Sequence, residues 1–201
     1  MALFTTWVII ASSLTLAKGF STQPASTISF ESLVDKRVLV VGGSGRVGGS
    51  CVTQLVKRGS QVVVGGTTVE NFVASQKRWM ELFPSLSSDL GDVSFATVDR
   101  ESSESVRQVL KDDFDLVIHT AGPFQGKVNT PNGVIAACVD AGIPYIDVAD
   151  DYYTASSAKT KYAAKAQETK TPCIISTGCW PGVSSLMAKQ LVLKVMRVYP
   201  E

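Results

Sequence analysis

One stretch of the chain constrains its fold more than any other, because four apolar residues run directly into a cluster of glycines. The stretch covers Val38–Gly49 and reads VLVVGGSGRVGG. A continuous apolar run predicts a parallel strand that is buried on both faces. Gly43, Gly45 and Gly48 satisfy G-x-G-x-x-G, and an amphipathic helical pattern follows them. Glycines permit a tight turn and let an anion approach the backbone, so the stretch predicts a strand, a turn and a helix N-terminus that bind a dinucleotide pyrophosphate.

The composition excludes several other classes of protein. The chain has 201 residues, enough for one domain with a substantial core, and its formal net charge is only +1. A nucleic-acid-binding protein would need a clustered basic face, so we expect no nucleic-acid partner. One histidine and no C-x-x-C pair give no metal site, and we expect reduced thiols in a non-oxidising compartment. The cysteines are Cys51, Cys138, Cys173 and Cys179.

Residues 1–30 differ in kind from the rest and are predicted to be a targeting leader. Leu3–Ala17 is apolar and hydroxyl-rich, and Ala17-Lys18-Gly19 is typical of a signal-peptide cleavage site, which gives a signal peptide of about residues 1–19. Phe20 and an acid-free stretch rich in Ser, Thr and Pro follow, and this combination resembles the bipartite plastid-targeting leaders of algae with complex plastids. We expect import into a plastid through an ER-type signal, with secretion, a cytoplasmic location or a buried N-terminal helix as alternatives. No stable membrane span is expected in the mature chain.

From residue 35 to residue 201, strand patterns alternate with helical patterns, which predicts one Rossmann-like domain. The order implies a doubly wound parallel sheet of six strands, with ligands at the carboxyl ends of the strands. The switch between the first and fourth strands then places Gly42–Gly48 opposite Thr120–Phe124. The predicted strands are 38–41, 61–64, 93–98, 115–119, 145–148 and 171–177, and the predicted helices are 47–58, 70–83, 102–110, 134–141, 154–168 and 183–198.

The sequence makes specific predictions for three of the helices. In the first helix, helical spacing places five side chains on one buried face. The last helix is expected to be apolar, and Pro84 with the serine-rich residues 85–89 is expected to end the second helix. The five side chains of the first helix are Val47, Cys51, Val52, Leu55 and Val56.

The residues after the second strand indicate which dinucleotide is bound. Sites that prefer NAD place an acid there for the ribose 2′-hydroxyl, whereas this chain has Gly-Gly-Thr-Thr at positions 65–68. Arg46 of the glycine turn is a candidate ligand of a 2′-phosphate, with Thr67 and Thr68 as hydroxyl donors, so NADP is favoured and NAD remains the alternative. Arg46 could equally be a solvated turn residue. Asp99, after the third strand, is placed near the adenine or caps the next helix.

Few side chains at the carboxyl ends of the strands offer other chemistry. His119 lies within the fourth strand, so we expect a hydrogen-bonded structural histidine rather than a general acid or base. Cys179 follows the sixth strand and could approach a nicotinamide. Asp147, Asp150 and Asp151 end the fifth strand and could orient a substrate. A structural role is favoured for each of them, and no catalytic residue is assigned.

Three segments together resemble the NAD(P)-binding domain of the saccharopine dehydrogenase-like oxidoreductases, over about residues 36–190. They are Gly45–Gly48, then Thr120–Phe124 with the run Ala137–Asp147, and finally Gly178–Leu186. The resemblance implies a Rossmann domain that binds NAD(P). It also implies a second α/β domain for substrate binding and often for oligomerisation. The sequence stops at residue 201, so this second domain is expected to be absent or truncated, and a homo-oligomer is compatible with the family.

The motifs and the resemblance predict an NAD(P)-dependent oxidoreductase that transfers a hydride to or from a small substrate. The alternative is a non-catalytic NAD(P)-binding module that acts as a redox sensor or interaction protein. A short-chain dehydrogenase is disfavoured, because none of the five tyrosines has a lysine four residues later. The residues predicted to contact the dinucleotide are Gly42, Gly43, Ser44, Gly45, Arg46, Val47, Gly48, Thr67, Thr68, Asp99, Thr120, Ala121, Gly122 and Pro123.

Overall fold

The computed structural model describes residues 33–125 and 133–198, and the predicted leader lies outside them. Within these residues one parallel sheet has the strand order β3-β2-β1-β4-β5-β6, which confirms the doubly wound, Rossmann-like sheet of six strands. The order reverses between β1 and β4, where the sequence predicts the ligand crevice. The strands are β1 (Arg37–Val41), β2 (Gln61–Gly66), β3 (Ser94–Thr97), β4 (Leu116–His119), β5 (Tyr145–Asp147) and β6 (Cys173–Ile174).

Helices connect the strands and cover both faces of the sheet. A 3₁₀ turn over Pro84–Leu86 and one turn of π-helix over Cys179–Val183 supplement the α-helices. In the described parts of the chain, no helix is both long and apolar enough to cross a lipid bilayer. The α-helices are α1 (Arg46–Val56), α2 (Val69–Leu82), α3 (Ser87–Gly91), α4 (Ser103–Val109), α5 (Gly133–Ala141), α6 (Tyr152–Glu168) and α7 (Ser184–Val198).

The core consists of two apolar layers, one on each face of the sheet. Successive side chains of a strand point to opposite faces, so β1 contributes to both layers. Val38 and Val40 pack in the layer that contains Trp79 of α2, whereas Leu39 and Val41 pack in the layer that contains residues of α4 and α5. These β1 residues are almost completely buried, as a strand at the centre of a doubly wound sheet should be.

The structure shortens two predicted strands and adds a helix. β3 has four residues and β6 has two, whereas the sequence patterns predict longer strands. The serine-rich segment predicted to end the second helix forms α3 instead. The Gln76 amide of α2 donates to the carbonyl oxygens of Leu90, Gly91 and Val93, at 2.9, 3.1 and 3.2 Å, and so satisfies the C-terminal end of α3 and the residues after it. This contact spans at least 14 residues of sequence and is invisible to local pattern analysis.

The predicted burial of Val47 is wrong, because its side chain is 54% exposed. Gly48 and Gly49 occupy the buried side of α1 at this level instead. A Cβ atom on Gly49 would lie 2.8 Å from Nε1 of Trp79, so α1 packs closely against α2 here. The predicted apolar helix near the end is α7, and its apolar side chains are about half exposed or more. These side chains are Leu186, Met187, Leu191, Val192, Val195 and Met196.

Candidate functional site

The turn after β1 is pressed against the loop that leaves β4. Gly42 has φ = +82°, a conformation that favours glycine, and a Cβ atom there would lie 2.7 Å from Cα of Ala121. The Gly42 N–H donates to the Gly65 carbonyl at 2.7 Å, which also fixes the turn to the end of β2. The sequence therefore predicted correctly that the glycine turn and the β4 exit loop would face each other.

Gly48 lets α1 begin directly on the turn. A Cβ atom at Gly48 would lie 2.3 Å from the Gly42 carbonyl oxygen and 2.6 Å from Oγ1 of Thr120. Thr120 itself is held to β1, since both its N–H and its hydroxyl donate to the Val41 carbonyl, at 2.8 and 2.9 Å. No side chain caps α1 at Gly45, and its first turn contains no acid. The free N–H groups and the positive end of the helix dipole thus suit an anion.

The hydroxyl of Ser44 provides a test of whether a ligand fits this turn. Its Oγ atom is buried and has no hydrogen-bond partner in the described parts of the chain. The Ser44 carbonyl, by contrast, accepts a hydrogen bond of 2.9 Å from the Ser75 hydroxyl of α2, so the turn is anchored there. Burying a hydroxyl without a partner is unfavourable. A phosphate oxygen at the turn would accept this hydrogen bond.

The candidate 2′-phosphate ligands leave neighbouring strands at the same edge of the sheet. Val41 and Gly65 are paired in the β1–β2 register, and Arg46 lies at the start of α1, just after β1. Arg46, Thr67 and Thr68 are all exposed. Thr68 is the residue before α2, and its hydroxyl accepts a hydrogen bond of 2.7 Å from the Asn71 amide. Residues 67 and 68, directly after β2, therefore offer hydroxyl groups and no carboxylate to a ligand.

Asp99 lies after β3 and organises the start of α4. Its carboxylate accepts from the Glu101 N–H at 3.0 Å, and its own N–H donates to the Ser105 hydroxyl at 3.0 Å. The N-cap of α4 is Ser102, whose hydroxyl accepts from the Ser105 N–H, so Asp99 does not cap this helix itself. Asp99 lies at the carboxyl end of the sheet, two strands from β1. The next residue, Arg100, was not predicted as a site residue. Its guanidinium donates to the Ala121 carbonyl and pairs with Glu101, so it holds the β4 exit loop.

The remaining residues of the β4 exit loop turn away from the strand. Gly122 and Pro123 are exposed and are joined by a cis peptide bond. Phe124 is buried again, and its carbonyl accepts a hydrogen bond of 2.9 Å from the Thr154 hydroxyl of α6. The partly buried Ala121 and the exposed Gly122 and Pro123 are thus fixed at both ends, by β1 and Arg100 on one side and by α6 on the other.

His119 is a buried member of a hydrogen-bonded network, as its place in the strand led us to expect. Its Nδ1 atom lies 3.1 Å from the Tyr145 hydroxyl, which in turn lies 2.9 Å from Oδ2 of Asp147. Burial lowers the pKa of His119 to about 3, and the positive charge of Arg100 acts in the same direction. The imidazole is therefore neutral at physiological pH. The pKa of Asp147 is raised, chiefly by its burial.

The other candidate side chains after β5 have structural partners. Asp151 caps α6 by accepting from the Thr154 N–H at 2.7 Å, and Asp150 accepts from the Gln125 amide at 2.6 Å. Cys179 is exposed in the π-helical turn. Across residues 33–125 and 133–198, no cluster of His, Cys, Asp and Glu side chains could hold a metal ion.

Comparison with known families identifies the domain. A sequence profile described as "Saccharopine dehydrogenase NADP binding domain" matches residues 38–174, which is more than half of the chain. The chain belongs to this family. A search of the curated proteins finds no match. The assignment confirms the resemblance seen in the three sequence segments, and it confirms NADP as the cofactor favoured by the residues after β2.

Solved structures share the fold of this NADP-binding domain at low sequence identity. Pen from Bacillus thuringiensis has a TM-score of 0.51 and 16% identity, with 70% of this chain and 49% of that chain covered. Epimerase Mth375 from Methanothermobacter thermautotrophicus has a TM-score of 0.52 and 18% identity, with 73% and 52% covered. A Shigella flexneri protein that carries the name short chain dehydrogenase has a TM-score of 0.53 and 16% identity, with 70% and 79% covered. The chain thus spans about half the length of the first two, and at these identities the likeness shows the fold alone.

The residues present fit NADP. At Gly42 and Gly48 the backbone packs too closely to admit a side chain, and the turn leads into a helix whose N-cap residue makes no side-chain hydrogen bond. Among the residues that the structure describes, nothing accepts the hydrogen bond of the Ser44 hydroxyl in this turn. A pyrophosphate requires this combination of open backbone and unpaired donors. When bound, the nicotinamide of NADP supplies a hydride donor or acceptor.

Proposed function

We propose that this protein is an NADP(H)-dependent oxidoreductase that transfers a hydride between the nicotinamide and a small substrate. The observation that carries the proposal is the approach of Gly42 to Ala121, which closes the glycine turn onto the β4 exit loop. This contact forms the crevice at the position where doubly wound sheets bind dinucleotides. A substrate with an imine, keto or alkene group fits a reaction in which the protein mainly positions the nicotinamide ring.

The proposed arrangement assigns a part of the cofactor to each group of predicted residues. Residues 42–48 hold the pyrophosphate, and Arg46, Thr67 and Thr68 hold the 2′-phosphate. Asp99 lies on the adenine side, and residues 120–123 border the nicotinamide end. In support, β3, β2, β1 and β4 are consecutive in the sheet, so their carboxyl ends form one continuous edge.

Titration calorimetry with NADPH and NADH tests the cofactor site. We expect the wild-type protein to bind NADPH more tightly than NADH. Replacing Arg46 with Ala should weaken NADPH binding by about tenfold, the effect of losing one charge-assisted hydrogen bond of roughly 1.5 kcal/mol, and should leave NADH binding nearly unchanged. Lys57→Ala is the matched control, because it removes an exposed cation just after the opposite end of α1. A wild-type protein that binds neither nucleotide would refute the proposal.

A second candidate function is a non-catalytic NADP-binding module that acts as a redox sensor or interaction protein. One observation favours it, namely that the acids and the histidine near the crevice already serve structural contacts. His119 and Asp147 are joined through Tyr145, and Asp151 caps α6. An assay of NADPH oxidation with imine, keto and alkene substrates separates the two functions, since binding without turnover would support the module.

We also propose that residues 1–30 direct the protein to a plastid and that the mature domain self-associates. The acid-free, hydroxyl-rich stretch after the candidate cleavage site supports the first proposal. A fluorescent protein fused to residues 1–30 should accumulate in the plastid, and secretion of the fusion would contradict this.

Light scattering after size-exclusion chromatography tests self-association, and a monomeric mass would contradict it.

A further inference from the structure

The carboxylate of Asp147 connects three separate segments of the chain. Its Oδ1 atom accepts from the backbone N–H groups of Ala149 and Ser176, at 3.1 and 2.8 Å. Its Oδ2 atom lies 2.9 Å from the Tyr145 hydroxyl. The residue is 3% exposed and lies at the end of β5, between the ends of β4 and β6. Both of its oxygens are therefore committed to the protein in a buried position.

The hydrogen bonds between Asp147 and His119 have one consistent direction when Asp147 is ionised. The Tyr145 hydroxyl has a single proton, and an ionised carboxylate can only accept, so Tyr145 donates to Asp147. The hydroxyl oxygen must then accept from Nδ1–H of His119, 3.1 Å away. This assigns the proton of the neutral imidazole to Nδ1 and leaves Nε2 as an acceptor. The Nε2 atom is buried and has no hydrogen-bond partner of ordinary geometry in the described parts of the chain. The nearby Ala121 carbonyl raises the pKa of the ring, against the larger opposite effects of burial and of Arg100.

The same carboxylate holds the loop after β6 in an uncommon conformation. Ser176 has φ = +62°, in the left-handed region that is costly for a residue other than glycine. Besides the contact of Ser176 with Oδ1, the N–H of Thr177 donates to the Asp147 carbonyl at 3.0 Å. A Cβ atom on Gly178 would lie 2.6 Å from the Val148 carbonyl oxygen, so the loop is packed onto the end of β5.

The β4 exit loop depends on the same region. The Phe124 ring packs edge-on against the His119 ring, with centroids 5.0 Å apart. The Phe124 carbonyl accepts from Thr154, and Gln125 donates to Asp150. Both loops at this end of the crevice are thus fixed to the segment that runs from β5 into α6.

We propose that Asp147 is a positioning residue for the nicotinamide end of the crevice. One oxygen holds the left-handed backbone of Ser176, and the other fixes, through Tyr145, the orientation and tautomer of His119 beneath the β4 exit loop. This inference rests on the proposed NADP site, because the two loops border the end of the crevice opposite the adenine side.

The single histidine of the chain makes the network directly observable. Long-range proton–nitrogen NMR spectra should show His119 protonated on Nδ1 in the wild-type protein. In Asp147→Asn, the amide oxygen can still accept from Ala149 and Ser176, but the amide nitrogen now donates to the Tyr145 hydroxyl. That hydroxyl must then donate to Nδ1, so the tautomer should change to Nε2–H. Asp150→Asn, a matched substitution three residues away, should leave the Nδ1–H tautomer unchanged.

Amide hydrogen exchange tests the second role of Asp147. The Ser176 amide should stay protected in Asp147→Asn and should lose protection in Asp147→Ala, which lacks the side-chain acceptor. The Thr177 amide is the internal reference, because its acceptor is the backbone carbonyl of residue 147, which both variants keep. If Asp147→Ala does not fold, the double variant that combines Asp147→Asn with Tyr145→Phe tests the link between Asp147 and His119 instead. In that background, Asp147→Asn should no longer change the tautomer. A wild-type Nε2–H tautomer, an unchanged tautomer in Asp147→Asn, or full protection in Asp147→Ala would overturn the proposal.

Binding of NADPH links the network to the crevice. Without the anchor, the left-handed conformation of Ser176 is unfavourable, so the competent loop falls to roughly a tenth of molecules and the apparent Kd should rise about tenfold in Asp147→Ala. An unchanged Kd would overturn the role at the nicotinamide end. If the wild-type protein bound no NADPH, the proposed function would fail, whereas the NMR and exchange measurements would still judge the roles of Asp147 within the protein.

Discussion

Gly42 and Ala121 lie so close that a Cβ atom on Gly42 would come within 2.7 Å of the Ala121 backbone. The two residues are 79 positions apart in sequence and belong to the turns after β1 and β4, which are adjacent parallel strands. The contact has two consequences. It joins the turns after β1 and β4 where the strand order reverses, and it makes position 42 intolerant of any side chain.

Gly42→Ala should therefore destabilise the protein. The left-handed backbone costs a residue with a Cβ about 1–2 kcal/mol, and overpacking adds about 1–3 kcal/mol, so we expect a loss of about 2–5 kcal/mol in the free energy of unfolding. Gly91→Ala is the control, because a Cβ atom there would meet nothing within 4 Å. Urea denaturation measures both variants, and equal stabilities for the two would contradict the close packing at Gly42.

Thr67→Asp should change the cofactor preference. An acid after β2 repels a 2′-phosphate and accepts a hydrogen bond from a 2′-hydroxyl. We expect NADPH affinity to fall by about tenfold or more, equivalent to about 1.4 kcal/mol, and NADH affinity to rise. Calorimetry provides the measurement. Thr160→Asp adds the same charge to an exposed position of α6 and should alter neither affinity, so a parallel loss in that variant would assign the effect to net charge alone.

Acid should destabilise the protein through His119. Its folded-state pKa of about 3 lies below the ordinary value of 6.5, so between these values the unfolded chain binds a proton that the folded chain does not. The free energy of unfolding should thus fall as the pH decreases from 6.5 towards 3, by about 1.4 kcal/mol per pH unit from this group. Denaturation of the wild-type protein and His119→Gln over this range gives the difference. Parallel pH curves would show that His119 does not lose its proton affinity on folding.

Cys179 should be the most reactive of the four thiols. It is exposed, whereas burial raises the pKa of Cys51 and Cys138 and raises that of Cys173 to about 11. Thiolate is the nucleophilic form, so at neutral pH these three should react with iodoacetamide far more slowly. Mass spectrometry after brief alkylation should find the label on Cys179, and Cys179→Ser should abolish it. Early labelling of Cys138 would indicate that the core beneath β5 opens readily.

Much of this fold could be predicted from local patterns. The apolar run of β1, its glycine turn and the buried side of α1 from Val52 onwards all depend on residues within one or two turns of each other. The prediction failed at Val47, since helical spacing places it with the apolar residues. Gly48 and Gly49 take the buried side there, because the helix packs too closely on the turn and on Trp79 to admit side chains. Periodicity counts apolar residues, whereas close packing here requires the absence of a side chain.

The candidate site was predictable to the same extent. The sequence identified Gly42–Gly48 and Thr120–Pro123 because glycines and small residues at strand ends have a recognisable pattern. Local pattern shows Arg100 only as an arginine that follows a strand. The contact between Arg100 and Ala121 crosses from the end of β3 to the end of β4, so no local spacing predicts it. It favoured a structural role for Asp147 but did not identify the partners, because the carboxylate is buried among donors from Tyr145, Ala149 and Ser176.

The sequence by itself determined that this chain alternates strands and helices and carries an NADP-binding turn, because period, glycine spacing and the missing acid after β2 are properties of contiguous residues. Only the tertiary structure decided that β1 lies beside β4, that Gly42 faces Ala121 and that Asp147 holds Ser176. Those contacts join residues 29 to 79 positions apart. They arise from the order in which the strands associate, and no local spacing encodes that order.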